Sequence, residues 1–280
     1  MFVKFYGTRG SVPVCHTDFQ EFGGNTTCIQ VRDKDSNNIA ILDAGTGIRE
    51  LGKDFLESGH KQGEIFIAFT HFHWDHIQGF PFFAPAFNKK QKINILALGW
   101  GQRITCLKDI FKAQMQKEFF PISLQKMGAK IKFILLKETE RVFSTQAKSP
   151  KPVFVKSNKH KHPGGAYGYR IEMDGKVLVF CTDIEHGKTL DEKVIEFAAD
   201  ADLLIHDAQF TDEELKRKKG WGHSSFSQAI EVAEKANVKI LALTHHDPDH
   251  DDVFLKKIEK KCQARFKDCF LAREKSELEL

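Results

Sequence analysis

The segment His71-Phe72-His73-Trp74-Asp75-His76 constrains this chain more than any other stretch. It packs four nitrogen or carboxylate donors together, directly after the apolar run Ile65–Phe69. Imidazole and carboxylate suit zinc and neighbouring divalent metals. Four such donors crowd a single ion but can serve two, and two-metal hydrolases hold their ions roughly 3.5–4 Å apart. The segment therefore predicts a dinuclear site and a fold that delivers further ligands to it. A solvated histidine-rich loop is the competing reading, and it predicts no partners elsewhere.

Such partners are present. Short apolar runs recur at Ile39–Leu42, Ile65–Phe69, Ile93–Leu98, Ile131–Leu136, Val177–Phe180, Leu203–Ile205 and Ile240–Leu243. Their length and their Ile, Leu, Val and Phe content predict strands. Helical spacing lies between them: Ile104, Leu107, Phe111 and Met115 share one face, and Leu255, Ile258, Cys262 and Phe266 form another stripe. Thr211 with Glu214, and Ser225 with Gln228, read as capping boxes opening two helices. Strands alternating with helices predict an α/β domain with covered sheets. No linker or repeat divides it, so one domain over residues 1–280 is expected.

Five of the runs end in chemically capable residues: Asp43-Ala44-Gly45-Thr46-Gly47, Thr70-His71, Cys181-Thr182-Asp183, His206-Asp207 and Thr244-His245-His246-Asp247. Sites in α/β folds gather outside the carboxyl ends of strands, so these ends could share one cleft. Two ions need a bridge, and Asp183 is the candidate; a turn or cap is its structural alternative. His162 and His245 complete the ligand count. His160 and His246 are their rivals, with His245 preferred because it lies nearer the strand end. Cys181 is a minor alternative ligand, and a buried thiol the plainer reading. Gly45-Thr46-Gly47 reads as a tight turn that props the metal loop, and Arg9 as available to an anion at the entrance.

The net charge of +4, set against 42 basic and 38 acidic residues, permits an anionic substrate but gives no support for bulk nucleic-acid binding. The 6 cysteines show no C-x-x-C spacing and read as reduced thiols. Neither a signal pattern nor a membrane-length apolar run is visible, so a cytoplasmic protein without a membrane partner is expected.

Thr70–Gly79, T-H-F-H-W-D-H-I-Q-G, resembles the signature of the metallo-β-lactamase superfamily. The resemblance implies a four-layer αβ/βα sandwich with two central mixed β-sheets. It implies one metal on His71, His73 and His162 and another on Asp75, His76 and His245, with Asp183 bridging. Zinc is the first expectation, with manganese or iron as alternatives. Leu203–Ala208 resembles the H-E-A-T segment of ribonuclease Z with Asp for Glu, Gly222-His223-Ser224-Ser225 its G-H-S-T, and Gly164–Ile171 its G-Y-R-I strand. Phe5–Ser11 and Phe22–Cys28 resemble smaller bacterial relatives described as metal-dependent phosphodiesterases.

No Gly- and Pro-containing insertion like the tRNA-gripping arm of ribonuclease Z is visible, and Lys89–Lys132 reads as ordinary strand and helix. The expectation is therefore a phosphodiesterase acting on a small phosphodiester such as a cyclic nucleotide, with no stable nucleic-acid partner and, from the resemblance, a homodimer. A tRNA 3′ endonuclease, a thioester or lactam hydrolase and a non-enzymatic metal-dependent sensor are the alternatives. Asp75 is expected to orient the attacking water. His206, by resemblance, would donate the proton to the leaving group with Asp207 orienting it, and His223 would contact a phosphate oxygen. For His206 and His223 the structural readings are a residue that fixes a ligand and a helix-start residue.

Overall fold

A computed structural model describes residues 1–34, 36–58, 63–98, 107–136, 141–144 and 152–280. In chain order the elements are β1 (Phe2–Gly7), β2 (Cys28–Arg32), β3 (Ile39–Leu42), α1 (Ile48–Glu57), β4 (Ile65–Phe69), α2 (Trp74–Ile77), β5 (Lys92–Leu98), α3 (Leu107–Gln114) and β6 (Lys130–Leu136). There follow β7 (Arg141–Ser144), β8 (Pro152–His160), β9 (Ala166–Met173), β10 (Lys176–Cys181), α4 (Glu192–Ala198), β11 (Leu203–Asp207), α5 (Asp212–Arg217), α6 (Phe226–Lys235), β12 (Ile240–Thr244), α7 (Asp252–Arg265), β13 (Cys269–Leu271) and β14 (Glu277–Glu279).

The strands form two sheets of seven, ordered β14-β1-β2-β3-β4-β5-β6 and β13-β12-β11-β10-β9-β8-β7. Both are mixed: β3 to β6 run parallel and β1 to β3 antiparallel, while β10 to β13 run parallel and β7 to β10 antiparallel. The runs are apolar on both faces because both faces are covered. Ile65, Ile67 and Phe69 face α1 and α3, while Phe66 and Ala68 face the other sheet. Leu204 faces α4 and α6, while Leu203 and Ile205 face the first sheet. Three cores result, two between a sheet and its helices and one between the sheets, and together they are the four-layer sandwich.

Both capping boxes form, Thr211 with Glu214 and Ser225 with Gln228, each reciprocal between side chain and backbone. Leu107, Phe111 and Met115 are buried together, and Leu255, Ile258 and Cys262 line the buried face of α7. Ile104 lies outside the described residues, as do residues 99–106 of the stretch read as armless. Among the described residues no helix is long and apolar enough to cross a membrane.

The parallel strands all point their carboxyl ends to one edge of the sandwich. Three residues that follow these ends take left-handed backbone despite bearing side chains: Asp43 (φ 60), Asp183 (φ 57) and His245 (φ 64). Such conformations cost on the order of 1 kcal/mol each and persist where the surroundings over-determine them. Here each turns a polar side chain off the end of its strand.

Candidate metal centre

At this edge, β4 ends in Thr70-His71, and the chain passes through His73 into the short α2, which carries Asp75 and His76. From the other sheet come Asp183 after β10, Asp207 at the end of β11 and His245 after β12. His162 arrives from the turn between β8 and β9. Asp183 stands in the middle. Its Oδ1 lies 3.7 Å from His71 Nε2 and 3.7 Å from His162 Nε2. Its Oδ2 lies 3.2 Å from His76 Nε2 and 3.5 Å from His245 Nε2. Asp75 Oδ2 joins the second group at 3.3 Å from His76 Nε2 and 3.2 Å from His245 Nε2. His73 joins the first, its Nδ1 being 3.1 Å from His162 Nε2. Each carboxylate oxygen of Asp183 thus serves a different histidine group, as a bridging ligand requires.

Most of the rings are turned by a bond at Nδ1. His76 donates to Asp43 Oδ2 (2.9 Å), His162 to the Gly222 carbonyl (2.9 Å), His245 to Gln209 Oε1 (3.1 Å) and His71 to Thr70 Oγ1 (3.0 Å). Asp43 is buried and also accepts from the Thr70 amide and hydroxyl, both at 2.8 Å, so one carboxylate sets two histidines. With Nδ1 protonated, Nε2 presents a lone pair to the cluster, and ligating histidines are commonly held this way. Lone pairs facing carboxylates repel unless a cation lies between them. The buried Nε2 atoms of His71 and His76 have no hydrogen-bond partner, so the donor set fits divalent metal ions.

Electrostatics of the metal-free cluster agree. Burial works to lower His76 and His245, but the carboxylates of Asp75 and Asp183 prevail; His76 is held well above the usual imidazole range and His245 is pushed up to about 9. Burial also works to raise Asp75 and Asp183, and the surrounding histidines pull both below the usual carboxylate range. Burial lowers His71, His73 and His162, which favours neutral, ligating rings.

Close packing makes two glycines necessary. A Cβ on Gly10 would lie 2.2 Å from His245 Nδ1. A Cβ on Gly222 would lie 2.2 Å from His162 Nδ1, and that residue has φ +96.

Among the rival histidines, His162 and His245 enter the cluster. His160 bonds the Thr182 carbonyl and His246 the Ala272 carbonyl. Cys181 is buried on the helix-facing side of β10, and burial raises its thiol pKa.

Two expectations need correction. Residues alternate along a strand, so His206 and Asp207 cannot both face the cluster. His206 turns toward the helix layer, bonds the Asp207 carbonyl (2.7 Å) and stacks on His186. It is not positioned to donate a proton to a leaving group. Asp207 takes the cluster side and accepts instead from His223 Nδ1 at 2.8 Å, with His223 Nδ1 4.0 Å from Asp183 Oδ1. Arg9, read as available to an anion, is fully buried; it donates to the carbonyls of Gly23, Asp247 and His250 and so ties three loops beneath the site.

Sequence reasoning also missed two groups. The Ser11 amide donates to Asp75 Oδ2 at 2.8 Å, and Gln209 orients His245. No local pattern announces either one; Gln209 lies two residues past the end of β11, in the loop that its backbone bond to Asp207 Oδ1 helps to hold.

A sequence model of the beta-lactamase superfamily domain matches residues 38–246. The ribonuclease Z of Sulfurisphaera tokodaii is 32% identical over 212 residues, 67% of this chain and 72% of that protein. The ribonuclease Z of Haloarcula marismortui is 28% identical over 280 residues, covering 88% of this chain and 86% of that protein. The crystal structure of the short form of human tRNase Z shares the fold with TM-score 0.66 at 20% identity, covering 100% of this chain and 99% of that one.

Proposed function

The chain belongs to the beta-lactamase superfamily, in its ribonuclease Z-like branch, and is a metal-dependent hydrolase; from that premise we propose that it cleaves a phosphodiester bond in RNA, as an endonuclease of the ribonuclease Z type. The observation that carries this reading is the pairing of two histidine groups across Asp183 with the His223–Asp207 dyad beside it. Expulsion of a thiolate from a thioester needs no such dyad, whereas expulsion of a ribose alkoxide needs a proton donor.

In this reading His71, His73 and His162 would hold one divalent ion and Asp75, His76 and His245 a second, with Asp183 available to both. Zinc suits the nitrogen and carboxylate donors. When bound, the ions supply Lewis-acid chemistry: they lower the pKa of water and offset negative charge on the phosphoryl oxygens. The protein does the rest. Asp75, fixed by the Ser11 amide at Oδ2, orients the attacking water and accepts its proton. His223 donates from Nε2 to the departing oxygen. Asp207, accepting from Nδ1, fixes the plane of that ring and turns Nε2 toward the cluster, as a buried carboxylate behind a catalytic imidazole does. One catalytic domain over residues 1–280 is part of this reading, supported by β14 pairing with β1 from the opposite end of the chain (Phe2 with Glu279).

The test is a side-by-side assay of a precursor tRNA with a 3′ trailer, a cyclic nucleotide, bis(p-nitrophenyl) phosphate and an acyl-glutathione. Each is run with zinc or manganese, with chelator, and with Asp183→Asn. Metal-dependent cleavage of the trailer is expected. Turnover of only the small phosphodiesters would return the assignment to the small-substrate phosphodiesterase that the sequence first suggested. Hydrolysis of no phosphodiester would refute both.

A further inference from the structure

We propose that Trp221, with Lys216, Arg217 and Lys219 around it, forms a platform that seats the single-stranded nucleic-acid flank of the substrate beside the metal centre. The inference rests on the phosphodiesterase reading above and adds to it a binding surface.

The segment Leu215-Lys216-Arg217-Lys218-Lys219-Gly220-Trp221-Gly222-His223 sets four consecutive cations and an indole directly before the dyad histidine. Lys216 and Arg217 end α5, where they complement the helix dipole, and that alone is their plainest explanation. It does not account for Lys219, beyond the helix, or for Trp221. The indole is 60% exposed and sits at the end of this cationic run, so an aromatic surface and several cations share one short segment. Lys216, Arg217 and Lys219 are exposed, and among the described residues they form no ion pair. Lys218 behaves differently: it is committed to Asp247 at 2.9 Å and lies over the rings of Phe210 and Trp221, at 4.5 and 5.6 Å from their centroids. It holds the indole in place while its neighbours face solvent.

The segment is also bolted to the site. Glu185 Oε2, buried, accepts from the amides of Gly220 and Gly222 at 2.7 and 2.9 Å. The Gly222 carbonyl accepts from His162, and the next residue is His223. The indole is therefore within two residues of a group bonded to a proposed ligand and of the proposed proton donor. A second indole, Trp74, is 64% exposed between His73 and Asp75 of the metal centre. An exposed indole in one segment with unpaired cations complements a base attached to a phosphate, and such platforms bind single strands with little sequence preference.

The test uses the zinc-loaded full chain with a fluorescein-labelled single-stranded oligoribonucleotide, followed by anisotropy across a salt series, and with bis(p-nitrophenyl) phosphate. Trp221→Ala is expected to weaken oligonucleotide binding about 10-fold, and Trp221→Phe to restore most of it. The triple variant Lys216→Gln, Arg217→Gln, Lys219→Gln is expected to flatten the plot of log Kd against log salt by about 2, at roughly 0.7 per phosphate contact on a single strand. Turnover of the small ester is expected to stay within about twofold in all of them, since it cannot reach the platform. Unchanged binding and slope would overturn the proposal, as would equal losses on both substrates, which would mark a general defect. Failure of the wild type to bind the oligonucleotide while hydrolysing the ester would overturn the platform and leave the phosphodiesterase reading standing. Trp221-dependent binding without hydrolysis of any phosphodiester would do the reverse.

Discussion

Asp43→Asn separates metal binding from folding. Asp43 takes three hydrogen bonds on two oxygens, from the Thr70 amide, the Thr70 hydroxyl and His76 Nδ1. Asparagine keeps one oxygen and replaces the other with a donor. If that oxygen stays on the Thr70 amide, the new NH₂ faces His76 Nδ1. The ring then escapes a donor–donor clash by moving its proton to Nε2, the atom 3.2 Å from Asp183 and 3.3 Å from Asp75. A protonated Nε2 cannot ligate. Loss of such an outer partner usually costs 10–100-fold in metal affinity, about 1.4–2.7 kcal/mol. The metal-free protein responds differently. Burial raises the Asp43 carboxyl above its usual range, His76 pulling the other way, so its charge is already a liability to the fold. A neutral side chain of the same shape should leave the metal-free melting temperature within a few degrees of wild type. Affinity is measured by competition against a fluorescent zinc chelator, and stability by thermal melts in excess chelator. The reasoning is refuted if zinc affinity stays within about twofold, or if the metal-free melt drops by about 10 °C, which would make Asp43 a residue of the fold.

Other substitutions test the remaining links. Asp183→Asn should release at least one of the two proposed ions, read by metal analysis of the dialysed protein, with activity at background. His223→Gln should lower kcat about 10²–10⁴-fold with metal content unchanged, whereas His206→Gln should leave kcat near wild type and lower the melting temperature; the opposite pattern would reinstate His206 as the proton donor. Gly222→Ala should cost metal affinity, because its Cβ would meet His162 at 2.2 Å, and a circular dichroism spectrum like that of wild type would separate this from misfolding. His186 and His206 are buried and each is pushed down to about 4 from 6.5. Both stay neutral in the folded chain while the unfolded chain takes protons below 6.5. Their contribution is therefore fully present above 6.5 and lost as pH falls toward 4, by up to roughly 1.4 kcal/mol per pH unit per histidine. Melts in chelator between pH 7.5 and 5 should show this slope, and His186→Phe should flatten it.

The seven apolar runs became strands because their content and length left few other choices, and all but the edge strand β6, where Leu135 is exposed, are covered on both faces. The strands passed over were β14, β1 and β2 on one side of the first sheet, β13 at one edge of the second, and β7 and β8 at its other side. Their sequences interrupt the apolar run with polar or small residues, as in Phe2-Val3-Lys4-Phe5-Tyr6-Gly7 and Cys28-Ile29-Gln30-Val31-Arg32, or are only three residues long, as in β13 and β14. The two capping boxes were legible because the motif is local and self-contained, each closing on itself within four residues.

The chemistry of the metal centre was determined by the sequence alone, since four donors within His71–His76 have few other uses and the strand ends supply the rest. Which atom faces which is settled only when the sheets pack. His162 over His160, His223 with Asp207 rather than His206 with Asp207, and a buried Arg9 tying loops rather than meeting an anion all depend on side-chain direction. Direction alternates with every residue of a strand and is reset by each left-handed turn at its end, as at Asp43, Asp183 and His245. Residue types in order carry no record of that alternation until the strands are paired and the two sheets packed face to face.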